Sequence, residues 1–127
     1  MKPVVARVRE RDQATPERYT TERCHIFESW NDASDPGLSI ARARVEPGVT
    51  TALHTLDVDE RYFVLSGRGR VEVEGLAPTD VEPGDIVVIP AGHAQRIRNL
   101  GETDLLFLCL CTPRFAPEHY RDRGTAP

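Results

Sequence analysis

Apolar residues along this chain fall in short runs, and no stretch keeps the i, i+3, i+4 spacing of a long amphipathic helix. Residues 4–8, 24–28, 38–46, 50–55, 61–66, 70–74, 86–89, 95–99 and 105–112 are short and rich in β-branched side chains, so each reads as a strand. Turn chemistry separates them at Asp35-Pro36-Gly37, Glu46-Pro47-Gly48, Ser66-Gly67-Arg68-Gly69, Glu82-Pro83-Gly84-Asp85, Pro90-Ala91-Gly92 and Asn99-Leu100-Gly101. Many short strands at such spacing predict an all-β sandwich or barrel.

The pattern also orients individual strands. Val71 and Val73 alternate with Arg70, Glu72 and Glu74, which predicts a half-exposed strand. Ile86, Val87, Val88 and Ile89 are apolar on both faces, which predicts a strand with one face on the core and the other on a partner subunit. Residues 116–122 read as one helical turn and 123–127 as a frayed end, with no chemistry assigned to either.

At 127 residues the chain suits one domain with one core, and 39% hydrophobic with 28% charged residues favours neither disorder nor a membrane. The longest uninterrupted apolar run, residues 105–111, falls far short of the ~20 residues of a membrane-spanning helix, and the first residues lack the apolar core of a secretory signal. A cytoplasmic location is the expectation. A net charge of -4 argues against nucleic acid as partner, since the arginines are dispersed among acids. Cys24, Cys109 and Cys111 have no CxxC spacing and read as reduced strand residues.

Two spaced constellations carry the chemistry. Gly48, His54, Leu56, Glu60 and Gly67 are separated by five, one, three and six residues; Gly84, Pro90, Gly92, Gln95 and Asn99 by five, one, two and three. Strand parity puts His54 with Leu56 on one face, Glu60 with Tyr62 and Val64 on the next, and Gln95 with Ile97 and Asn99 on a third. If those faces converge, His54, Glu60 and Gln95 meet inside a barrel, with Leu56, Tyr62 and Ile97 as an apolar wall.

In these spacings the chain resembles the cupin superfamily, whose first motif has a second histidine where Leu56 stands and whose second motif has a histidine where Gln95 stands. The resemblance covers about residues 38–113. It implies a double-stranded β-helix, a jelly-roll barrel of two sheets, in a single domain preceded by strands within residues 1–37 and followed by a short tail from residue 114. It also implies a homodimer and a divalent metal ion such as zinc, manganese, iron or nickel.

On that resemblance His54, Glu60 and Gln95 are the expected metal ligands, and the expected activity is Lewis-acid chemistry on a small polar metabolite, of isomerase, lyase or hydrolase type. Tyr62 would orient or protonate the substrate. Two alternatives stay open: a non-catalytic binding or sensing module, and a metal-free isomerase or epimerase in which Glu60 is the acid or base. The two-histidine, one-carboxylate set of oxygen-activating iron is absent unless His93 or His25 turns inward.

Other residues receive plainer readings. His93 follows a turn and is expected at the barrel rim, with a substrate contact as the alternative. Cys109 and Cys111 share parity with Leu105 and Phe107, so they point inward as small hydrophobes. Arg42 with Arg44, and Arg96 with Arg98, are expected on solvated or dimer-contact faces rather than as a clamp for an anion, a role also left open for Arg61 and Arg114.

Overall fold

The computed structural model describes residues 3–124, and the last expected frayed positions, 125–127, lie outside them. Eleven strands form two antiparallel sheets. One sheet has the order β1 (Arg18–Tyr19), β2 (His25–Trp30), β3 (Ser39–Val45), β10 (Leu105–Thr112), β5 (Asp59–Ser66), β8 (Ile86–Ile89). The other runs β11 (Tyr120–Asp122), β4 (His54–Leu56), β9 (Gln95–Asn99), β6 (Gly69–Val73), β7 (Thr79–Val81). This is the jelly-roll barrel that the strand pattern and motif spacing imply.

Alternation builds the core. Val64 on β5, Val71 on β6, Ile97 on β9 and Leu105 on β10 point between the sheets and are almost completely buried, while their sequence neighbours face outward. Two motif residues serve this frame. Gly67 has φ +82°, and a Cβ there would lie 2.7 Å from the carbonyl oxygen of Asp104, so only glycine fits. Asn99 Nδ2 donates to the carbonyls of Val45 (2.9 Å) and Thr103 (2.8 Å), and its Oδ1 accepts from the Gly101 amide. Those bonds close the turn into β10.

The structure departs from the strand pattern at the edges. Residues 4–8 form no strand: Val8 is 81% exposed, and the segment is tethered by the Arg7 side chain, which pairs with Asp32 at 3.4 Å and lies over the Trp30 ring. An apolar β-branched run becomes a strand only where a neighbouring edge accepts its hydrogen bonds, and these residues enter neither ladder. Three short strands, β1, β7 and β11, carry too few apolar positions to be read from sequence.

Residues 116–122 hold a 3-10 turn at Pro117–His119, after which β11 pairs with β4 in the register Tyr120↔Leu56. The tail thus closes one end of the barrel. On β8, Val87 and Ile89 are buried, but Ile86 and Val88 are 53% and 62% exposed, so nothing among the described residues covers the outer face that the sequence predicts to be covered. No helix among the described residues is long and apolar enough to cross a membrane.

Candidate functional site

Inside the barrel lies a cavity of about 300 Å³, at the small end of ligand-binding volumes. Its space comes from small side chains: Ser39, Ala41 and Ala43 on β3, and Cys109 and Cys111 on the adjacent β10, line the wall where larger residues would fill it. Glu60 and Tyr62 project from β5, in register with Cys111 and Cys109. His54 and Leu56 enter from β4, and Phe115, Pro117 and Tyr120 of the tail close that end.

His54 is held by its own strand and by the tail. Its Nδ1 lies 2.8 Å from the Ala52 carbonyl, which can only accept, so Nδ1 carries a proton and Nε2 is the ring nitrogen left for other contacts. Tyr120 stacks on the imidazole, with ring centroids 5.0 Å apart and planes inclined by 22°.

Glu60 is 6% exposed, and its Oε1 has no hydrogen-bond partner. Its Oε2 lies 3.9 Å from the weakly donating Cys111 thiol. Burial pushes the carboxyl up to about 7, with the negative charge of Glu22 adding to the rise, while the Gln95 carboxamide and the thiols of Cys109 and Cys111 oppose it. Both protonation states are therefore populated near neutrality.

Gln95 faces His54 across the β4–β9 ladder and is completely buried. Its Oε1 accepts a hydrogen bond from the Tyr62 hydroxyl, and its Nε2 has no partner. Burial and the Glu60 charge hold Tyr62 far above the usual phenol range, so it stays neutral.

These residues do not fit a divalent ion. Leu56 packs with Val58 and Cys111 and supplies no donor. Gln95 offers only a neutral amide oxygen, a weak ligand that already accepts from the Tyr62 hydroxyl. That leaves an imidazole and a carboxylate, short of the three protein ligands of a catalytic metal site, and no three His, Cys, Asp or Glu side chains among the described residues form a group able to hold one.

The remaining sequence candidates separate. Leu56 and Tyr62 line the cavity. Ile97 instead packs in the dry core between the sheets, and His93 sits in the turn after β8 with Nδ1 3.4 Å from the Ala91 carbonyl, off the cavity wall. His25 turns outward to Glu46 at 3.4 Å. Arg42 and Arg44 point outward to Glu17, Arg96 to Glu72, and Arg114 to Asn31.

All three thiols of the chain line the cavity, and burial raises each of them, Cys24 to about 12 and the other two further, so they are neutral wall rather than nucleophiles. Sequence reasoning missed Glu22, Glu28, Phe115 and Tyr120. Glu28 was within reach, since it shares parity with Cys24 and Ile26; the tail residues offered no signal, because their place depends on β11 folding back.

Comparison with known proteins places this geometry. The family described as Cupin domain matches residues 41–111, more than half of the chain. An uncharacterised protein of Streptomyces coelicolor is 34% identical over 76 residues, which cover 60% of this chain and 70% of the relative. The (R)-mandelonitrile lyase of Granulicella tundricola is 40% identical over 63 residues, covering 48% of this chain and 47% of the lyase.

Oxalate decarboxylase OxdC of Bacillus subtilis is 29% identical over 105 residues, 79% of this chain but 26% of the enzyme. A solved structure of the Bacillus subtilis oxalate decarboxylase superposes with a TM-score of 0.76 at 21% identity, over 89% of this chain and 32% of that one. The chain therefore spans about half of the lyase and about a quarter to a third of the decarboxylase.

Proposed function

The chain belongs to the cupin family, and from that premise we propose that its cavity binds one small molecule and moves a proton on it with the Glu60 carboxyl, without a metal ion. One observation carries this reading: a carboxyl group with an unpartnered oxygen is buried in the wall of a cavity that the His54 imidazole also lines. Folding a carboxyl into such a place without a partner costs stability, which is expected where the group is used rather than where it only supports the fold. The two named relatives are called a lyase and a decarboxylase, both small-molecule activities, which supports the class and leaves the substrate to experiment.

In this reading Glu60 in its ionised form takes a proton from the bound molecule and, once neutral, returns it at a second position or face, while His54 Nε2 orients the molecule by a hydrogen bond. Tyr62 spends its hydroxyl on Gln95 and holds that carboxamide beside Glu60, so it acts as clamp and wall. The reaction class that follows is isomerisation or epimerisation, each a proton shift between two sites.

Protein purified without added metal should contain below about a tenth of an equivalent of any transition metal, because real sites depend on a full ligand set. With a turned-over substrate in hand, Glu60→Gln should lower kcat by about a hundredfold or more with little change in KM. A stoichiometric ion lost on His54→Ala substitution, or full turnover by the Glu60→Gln protein, would overturn the proposal.

A further inference from the structure

Resting on that acid–base reading, we propose that the cavity selects a cationic amine carried on a small apolar body and rejects carboxylates. The charges facing the space come from separate elements: Glu22 from the loop before β2, Glu28 from β2, Glu60 from β5, and a single cation, Arg18, on the exposed edge strand β1. Among the described residues no ion pair engages Glu22, Glu28 or Glu60. Elsewhere the same fold matches acids with arginines, as Glu17 with Arg44, Asp80 with Arg70 and Asp57 with Arg121.

Arg44 and Arg61, which could recognise an anion, are turned away from the cavity. Arg44 is shared between Glu17 and Asp104 on the outer face, and Arg61 donates to the Thr112 hydroxyl at 2.7 Å. His54, 5% exposed, has committed its Nδ1–H to the Ala52 carbonyl. A carboxylate would enter a space already holding three acids. An ammonium or amidinium would relieve their mutual repulsion, the repulsion by which Glu22 helps to raise the Glu60 carboxyl. Phe107, Phe115 and Tyr120 supply ring faces and edges for the apolar body and for cation–π contact.

Three probes of nearly equal shape separate charge from fit: 2-phenylethylamine, 2-phenylethanol and phenylacetate, titrated into the intact protein by calorimetry or ligand-observed NMR. At about pH 8 Glu60 is largely ionised and the amine is protonated. The amine should bind at least about tenfold more tightly than the alcohol, as one charge-assisted hydrogen bond implies, and phenylacetate more weakly than either. Glu22 and Glu28 are only partly buried, so Glu22→Gln and Glu28→Gln should fold, each reducing the amine preference about threefold or more with alcohol affinity little changed.

Phenylacetate binding as well as the amine, no measurable amine binding, or an undiminished preference in the Glu22→Gln/Glu28→Gln double variant would overturn the inference. Affinity is read here rather than turnover. An amine that binds but is never converted counts against Glu60 catalysis alone, whereas a carboxylate turned over through Glu60 counts against the amine selection alone.

Discussion

On the outer face of the six-stranded sheet Arg44 lies between Glu17 and Asp104, at 2.8 and 3.2 Å, while on the inner face of the same sheet Glu60 sits beside neutral thiols and a carboxamide and, among the described residues, in no ion pair. The outer acids are partly solvated and each has an arginine, so their charges cost little to keep. The inner carboxyl has lost its water and gained no counter-charge, so the protein holds it at a free-energy cost. The difference teaches that charge in this molecule is neutralised where it serves the fold and left open where a ligand can complete it.

The largest break in that contrast should come from Glu60→Gln. Glu60 titrates at about 7 in the folded protein against 4.5 ordinarily, so between those values the folded state holds a proton that the unfolded state has released. Its stabilising contribution is therefore fully present below about pH 4.5 and is lost as pH rises through about 7. Chemical denaturation at about pH 5 and pH 8 should show the native protein losing roughly 2–3 kcal/mol more than the glutamine variant. Identical pH dependence in the two proteins would remove the inner carboxyl from the contrast.

A smaller effect is expected from Gln95→Leu. The change leaves the buried Tyr62 hydroxyl without its acceptor and Glu60 without the carboxamide that restrains its rise, and it should cost about 1–3 kcal/mol in urea unfolding. A neutral result would show that the Tyr62–Gln95 bond does not hold the inner face together. Least of all, Arg44→Ala on the outer face should cost about 1 kcal/mol or less, and the loss should shrink further in about 1 M salt. A larger, salt-insensitive loss would mean that the outer pairs are structural after all.

How far the sequence could be read follows the reach of each signal. The bounds of β8, β9 and β10 coincide with the strands read at 86–89, 95–99 and 105–112, because alternation and flanking turns act within a few residues. Parity also put Cys109 and Cys111 on the inward face of β10, and Arg42 and Arg44 on the outward face of β3. Parity could not tell two inward environments apart: Ile97 and Tyr62 both point inward, yet one lies in the dry core and the other on the cavity wall. That distinction depends on what stands opposite across the barrel.

The order of strands, the turns between them and the inward placement of His54, Glu60 and Gln95 were determined by the sequence itself, since turn residues and alternation are local properties. The tertiary structure alone decided that the tail folds back to stack Tyr120 on His54, that Tyr62 takes the Gln95 oxygen, and that Glu22 and Glu28 join Glu60 without a counter-charge. Those outcomes require groups distant along the chain to share one desolvated space, where a missing partner or an unpaired charge acquires its energetic meaning.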